Sequence, residues 1–232
     1  MHPGLDNFEK IARFQSFDAS SFERKTVGLG ESEIETLEHE IHEVLGESER
    51  TRRDLLKSPQ SWQMERSHAS FLYVLVRTTR PKIVVETGVA DGFSSLVILS
   101  ALEKNQMGAL TSFDVHDKVG ALVPGRLSHR WNLIVLPSHH RGKAFRDHLA
   151  TLKPIDVFLH DALHTYGHQS FEYRAAWKNL VDNGFLLSDD ADATFAFIDF
   201  AYSRQLRPDI LVGCRKVFGV LRKPPSSTGA TF

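Results

Sequence analysis

Short apolar runs alternate with longer amphipathic ones along most of this chain, and the alternation predicts its architecture. Ile83, Val84 and Val85 form a β-branched run bounded by Pro81 and Gly88, which reads as a strand buried on both faces. Helical spacing follows over 94–103. Further strands are expected at 109–115, 132–136, 155–160 and 185–188, with helices at 142–152, 166–181 and 193–204 between and after them. Residues 182–184 (Asp-Asn-Gly) read as a turn, and 209–212 with 216–221 as a closing hairpin. Strand and helix periods that take turns this way predict an α/β fold. The expectation is a Rossmann-like, seven-stranded, mostly parallel sheet with helices on both faces and a C-terminal antiparallel hairpin.

Upstream, Ile34, Leu37, Ile41 and Leu45 make one apolar stripe on a helix from about residue 33, with Ser32 and Glu35 as a capping box. The stripe suits packing on the following domain, a lid, or a homo-oligomer contact, and the pattern alone does not choose. A charged stretch at 47–57 ends at Ser58-Pro59. A second helix is expected over 61–79, with Trp62, Phe71, Leu72, Leu75 and Val76 inward, broken at Arg80-Pro81. The expected division is an N-terminal helical segment (1–60), one α/β domain (61–223) and a disordered tail (224–232).

The strand at 83–85 runs into Glu86-Thr87-Gly88-Val89-Ala90-Asp91-Gly92-Phe93-Ser94-Ser95. Gly88 permits a sharp turn, and Gly92 permits close approach where the next helix starts. A dinucleotide-binding turn would read G-x-G-x-x-G, with a pyrophosphate on the helix N-terminus. Here the glycines are spaced G-x-x-x-G and an acid precedes the first by two positions. That acid would repel a diphosphate and suit a cationic ligand end. S-adenosylmethionine carries an ammonium and a sulfonium and no phosphate, so it is favoured over a nicotinamide cofactor.

Four expected strands end at or beside an acid: Glu86, Asp114, Asp161 and Asp189, the last followed by Asp190. Ligands of open α/β sheets bind outside the carboxyl ends of the strands, so these acids are expected along one crevice. An acid at the position of Asp114 can accept both hydroxyls of a ribose, or it can cap its own loop. Asp161, Asp189 and Asp190 brought together would repel one another unless a cation lay between them, and all-oxygen ligation suits Mg²⁺ or a similar divalent ion. The competing reading is that Asp161 and Asp190 only cap the helices that follow.

The composition narrows the classes. A net charge of −1 over 232 residues gives no reason to expect nucleic acid or an anionic membrane as partner. The single Cys214 excludes an internal disulfide and fits a reducing compartment, and neither a signal peptide nor a membrane span is visible. A cytoplasmic protein is the expectation.

The segment Glu86-x-Gly88-x-x-x-Gly92-x-Ser94 resembles motif I of class I S-adenosylmethionine-dependent methyltransferases. Asp161-x-x-His164-x-Tyr166 with Asp189-Asp190 is similar to the signature of metal-dependent small-molecule O-methyltransferases of the catechol and macrolide-sugar type. The resemblance covers about 80–222. It implies cofactor contacts from Glu86, Thr87, Gly88, Gly92, Ser94, Ser95, Asp114, Val115, Ser138, His139 and Asp161, and a metal on Asp161, Asp189 and Asp190. It also implies catalytic roles for Asp161 and His164, the latter as general base. The implied reaction is O-methylation of a small hydroxylated molecule. The alternatives are an NAD(P)-dependent oxidoreductase and a protein that binds S-adenosylmethionine without turnover. The latter keeps the cofactor pocket, and the former is disfavoured by the lack of a Tyr-x-x-x-Lys pair. Tyr166, Trp177, Phe195 and Phe197 are expected either to wall an acceptor pocket or to be plain core.

Overall fold

The computed structural model describes residues 16–17, 26, 28–55, 64–152 and 154–226. Strand β1 (Ser16–Phe17) precedes helices α1 (Glu31–Leu55) and α2 (Arg66–Thr79). There follow β2 (Ile83–Thr87), α3 (Phe93–Asn105), β3 (Ala109–Asp114), β4 (Trp131–Val135), α4 (Arg141–Leu152) and β5 (Ile155–His160). The chain ends through α5 (Tyr166–Asn179), β6 (Leu180–Ser188), α6 (Ala196–Ser203), β7 (Asp209–Val212) and β8 (Val217–Arg222). Among the described residues one sheet holds every strand, in the order β1-β7-β8-β6-β5-β2-β3-β4. Strands β2 to β6 pair in parallel, and β8 runs antiparallel to β6 and β7. The seven expected strands are present, and the two-residue β1 is an eighth, parallel to β7.

The chain moves outward from β2 to β3 and β4, then returns to the other side of β2 as β5. That reversal leaves a crevice beyond the carboxyl ends of β2 and β5. Each central strand is covered on both faces. Val84, Val157, Leu159 and Leu187 join one core with α1, α2 and α3, while Val85, Phe158 and Leu186 join another with α4, α5 and α6. Adjacent residues thus serve opposite cores, which is why these runs are continuously apolar rather than alternating.

Several boundaries differ from expectation. Helix α1 starts at Glu31 because the Gly30 N–H donates to Glu33 Oε2 at 3.0 Å, so Glu33 closes the cap rather than the Ser32 and Glu35 pair. It also runs through the charged stretch as far as Leu55. Its stripe is covered: Ile41, Val44 and Leu45 pack with α2 and α3. Arg52, near its end, is 7% exposed and ion-pairs with Asp91 of the glycine turn at 3.2 Å. Trp62, Ser58 and Pro59 lie outside the described residues, as do most of 1–30 and 227–232 of the tail. The first part of the tail is held by Ser226, whose N–H and hydroxyl donate to Asp182 at 2.7 and 2.9 Å.

Helix α5 stops at Asn179, and the expected turn at 182–184 lies inside β6. Lys223 explains the early stop. Its ammonium donates to the carbonyls of Trp177 and Leu180 at 3.1 and 2.6 Å, satisfying oxygens that a longer helix would have used itself. Its backbone pairs with Asn183 and Gly184, drawing them into the sheet. Among the described residues no helix is long and apolar enough to cross a membrane.

Candidate active site

The glycine turn is built by the chain against itself. Gly88 has φ +80°, and a Cβ there would lie 1.9 Å from the carbonyl oxygen of Asp161. Gly92 has φ +86°, and its absent Cβ would meet Gly120 Cα at 2.7 Å. Both glycines therefore serve backbone-to-backbone approach. At Gly92 the neighbour is the loop after β3, which is tied down by Gly120 N–H to Ala90 O and Leu122 N–H to Asp91 O, both 2.8 Å.

Glu86 lies beneath this turn, with no solvent exposure. Its carboxylate accepts hydroxyl hydrogens from Ser94 at 3.0 Å, from Ser112 at 2.6 Å and from Ser95. The Trp131 indole N–H donates to the Ser112 hydroxyl in turn, at 2.8 Å. Burial raises the Glu86 carboxyl above its ordinary pKa, against the pull of the three serines. Glu86, Ser94 and Ser95 thus form one buried cage that braces the turn against the start of α3. Thr87, also buried, donates to Glu172 Oε2 at 2.6 Å.

Asp114, at the end of β3, is half-buried at the crevice. One oxygen accepts from Val89 N–H at 2.8 Å, and the other from Val115 and His116 N–H at 2.6 and 3.0 Å. It caps its own loop and ties β3 to the glycine turn. Each carboxylate oxygen has further acceptor capacity. Val115 and Val135 are 41% and 45% exposed at the ends of β3 and β4, and leave apolar surface open beside Asp114. Ser138 and His139 are exposed in the loop after β4.

The acids at the ends of β5 and β6 divide. Ligand atoms of Asp161, His164 and Asp190 all lie within 4.8 Å of one another. His164 Nε2 is 3.8 Å from Asp161 Oδ1 and 3.4 Å from Asp190 Oδ2. Asp189 faces the other way, fully buried, with His68 Nδ1 of α2 at 3.2 Å and Lys216 Nζ at 3.2 Å. Both acids lie in the turn after β6, where Asp190 has φ +47°, and Lys216 reaches both, so Asp189 sits behind the cluster, buried against His68. The candidate ligand set is therefore Asp161, His164 and Asp190, and of the three acids expected to hold a metal Asp189 lies outside it.

Lys216, in the turn between β7 and β8, also holds Asp190 Oδ2 at 2.7 Å. Burial works against its ammonium, but Asp189 and Asp190 raise its pKa and keep it charged. Burial and then the charge of Asp189 push the Asp161 carboxyl well up. Burial lowers the His164 imidazole, which favours its neutral, basic form.

A second buried network lies behind this cluster. Glu172 of α5 meets His160 Nδ1 at 2.7 Å and His168 Nε2 at 2.9 Å, besides the Thr87 hydroxyl. Burial raises its carboxyl, but the two histidines outweigh that and bring it to about 2. The His160 ring stands edge-on to His164, with centroids 5.4 Å apart. Trp177 and Phe197 are core rather than pocket wall, packed with Tyr173 and Phe200. Phe195 packs against the same cluster. Tyr166 is 50% exposed and donates to Asp199 Oδ2 at 2.9 Å.

His68, Glu172, Lys216 and Arg52 are the participants that sequence reading missed. His68 and Asp189 are 121 positions apart, and no local pattern links them.

Residues 85–191, just under half of the chain, match a family model described as a methyltransferase domain. The comparison with curated proteins finds no match. Among solved structures, an O-methyltransferase from Bacillus cereus in complex with S-adenosylhomocysteine superposes with a TM-score of 0.58 at 14% identity, over 88% of this chain and 96% of that one. A Podospora anserina methyltransferase bound to S-adenosylhomocysteine gives 0.55 at 18% identity, over 78% and 87%. The MycE methyltransferase of mycinamycin biosynthesis, in complex with Mg and S-adenosylhomocysteine, gives 0.53 at 15%, over 80% of this chain and 58% of its own. At such identities the likeness is one of fold, and the fold is that of class I methyltransferases, as the resemblance in sequence implied.

Proposed function

We propose that this chain, of class I methyltransferase fold and matched by a methyltransferase domain over residues 85–191, is an S-adenosylmethionine-dependent O-methyltransferase. Its acceptor would be a small hydroxylated molecule, assisted by a divalent cation. The observation that carries this reading is the convergence of Asp161, His164 and Asp190 within 4.8 Å beside the glycine turn. Two carboxylates and an imidazole at a half-buried rim fit Mg²⁺ or Mn²⁺, with room for water and an acceptor oxygen. His164 Nδ1 is buried without a hydrogen-bond partner, while Nε2 faces both acids. The Mg and S-adenosylhomocysteine bound by MycE are consistent with the same pair of ligands here.

When bound, such a cation lowers the pKa of an acceptor hydroxyl and holds its oxygen in place. The chain's own part is alignment and proton removal. Asp114 would accept from the cofactor's ribose with the capacity left over from its loop, and Val115 and Val135 would offer apolar surface to a flat ring. Neutral His164 has one nitrogen, Nε2, facing the acids, and it serves one of two roles: third ligand to the cation, or, where the two carboxylates hold the cation alone, base for the hydroxyl proton. Leu163, 60% exposed, and Tyr166 flank the cluster and would meet the acceptor's apolar part. Transfer to a sulfonium methyl is an in-line displacement, so alignment and a deprotonated oxygen suffice.

Titration calorimetry with S-adenosylmethionine and with NAD, then methyl transfer to phenols, glycosides and polyketides with and without Mg²⁺, tests this. Binding of S-adenosylmethionine and transfer that stops in EDTA are expected. Full transfer in excess EDTA would remove the cation from the reaction.

A further inference from the structure

The acid cluster already contains a cation of its own. Lys216 Nζ lies 3.2 Å from Asp189 Oδ2 and 2.7 Å from Asp190 Oδ2, and its side chain is only 13% exposed. The turn that carries it is held in place from both sides. Gly213 N–H donates to the Lys216 carbonyl at 2.9 Å, and Glu65 accepts from the N–H groups of Cys214 and Arg215 at 2.6 and 2.5 Å. The Lys216 backbone is thus anchored beside the two carboxylates, while its ammonium stays on a stem that can move.

Asp189 is fully buried, and its other oxygen faces His68. A buried carboxylate needs a charged or hydrogen-bonding partner, and Lys216 is the charged one. Asp190 differs, because the oxygen nearest His164 is also the oxygen nearest Lys216. A divalent ion held with His164 through Asp190 Oδ2 would share that oxygen with the ammonium or push it aside. Like charges at such separation oppose each other strongly where water is scarce.

We propose that Lys216 is a built-in competitor for the cation site: it neutralises Asp189 permanently and holds Asp190 until a divalent ion displaces it from that one carboxylate. The arrangement keeps the acids compensated when the site is empty and makes metal binding weak and exchangeable. This rests on the cation reading above.

The test is Mn²⁺ binding to the full chain, read by the paramagnetic resonance signal of free Mn²⁺ and by calorimetry, with no turnover involved. Lys216→Met should bind Mn²⁺ at least tenfold more tightly than the wild type, whereas Lys216→Arg, which keeps the charge, should stay within a few-fold of it. Equal affinity in wild type and Lys216→Met overturns the competitor role and leaves the cation site standing. Weaker binding by Lys216→Met overturns it too. No binding by either chain ends both ideas.

Because Lys216→Met strips Asp189 of its charged partner and can fail to fold, a second measurement uses the unaltered protein. Reductive methylation of Lys216, followed by mass spectrometry, should rise several-fold when Mn²⁺ saturates the site. Labelling that stays constant or falls overturns the proposed displacement.

Discussion

Gly88 and Asp161 stand closer than any side chain would allow: a Cβ on Gly88 would lie 1.9 Å from the Asp161 carbonyl oxygen. The Asp161 N–H donates to the Thr87 carbonyl at 2.9 Å, so the ends of β2 and β5 are locked together where the acid enters the site. Gly88→Ala must either break that bond or abandon φ +80°. It should destabilise the chain by about 3 kcal/mol or more, by strain and lost packing together. Urea unfolding reads the effect, and an unchanged midpoint would mean that the two strand ends do not meet this closely.

Glu86 separates bracing from binding. Glu86→Leu leaves the hydroxyls of Ser94, Ser95 and Ser112 without their shared acceptor in a dry interior. Each orphaned group costs about 1–3 kcal/mol, so a total loss of several kcal/mol is expected. Glu86→Gln keeps an acceptor and should lose less. Asp114→Asn instead sets an amide N–H₂ against backbone N–H donors at the crevice. Calorimetry should show S-adenosylmethionine affinity falling at least tenfold in Asp114→Asn, and equal affinity would move the ribose elsewhere.

Asp190→Asn and His164→Ala address transfer rather than cofactor binding. Neither residue touches the glycine turn or Asp114, so S-adenosylmethionine affinity should stay within about threefold of wild type. Methyl transfer should fall by 10² or more, the scale of a lost base or a lost alignment. Retained transfer in both variants, assayed under saturating cofactor, would place the chemistry at another site.

Glu172 should shape acid stability. Its folded pKa is about 2 against an ordinary 4.5, so it stabilises the fold fully above pH 4.5 and loses that contribution as pH falls toward 2. The difference corresponds to about 3 kcal/mol for a group this buried. His168 is raised by its bond to Glu172, so its share is present below pH 6.5 and fades as pH rises through its folded pKa. The stability gap between wild type and Glu172→Gln should therefore be widest between pH 4.5 and 6.5 and should narrow toward pH 3. A gap that is flat with pH, measured by urea unfolding across that range, would show that the histidines do not hold this carboxylate.

The strands and the acid-lined rim were legible because both follow from short-range rules. Continuous β-branched runs such as Ile83 to Val85 require burial on two faces, and a residue at a strand end falls at the same edge of a parallel sheet wherever it sits in the chain. Asp161, Asp190 and Asp114 were found that way. Rules of this kind say which edge a side chain reaches, and nothing about what waits on the other side.

Tertiary structure alone decided the partners. Asp189 and Asp190 are neighbours in sequence and share Lys216, yet Asp189 is buried against His68 while Asp190 faces His164. Glu86, expected from the sequence beside a cationic ligand end, also accepts from Ser112 of the next strand, a partner only the sheet supplies. At Gly92 the absent side chain makes room for Gly120, a contact no local pattern gives. The amino-acid order by itself determined a doubly covered parallel sheet and the edge at which its chemistry gathers, since those depend on local period and strand direction. Which carboxylate faces His164 and which is buried against His68 depends on helices and turns up to 121 positions away, brought into contact only by packing.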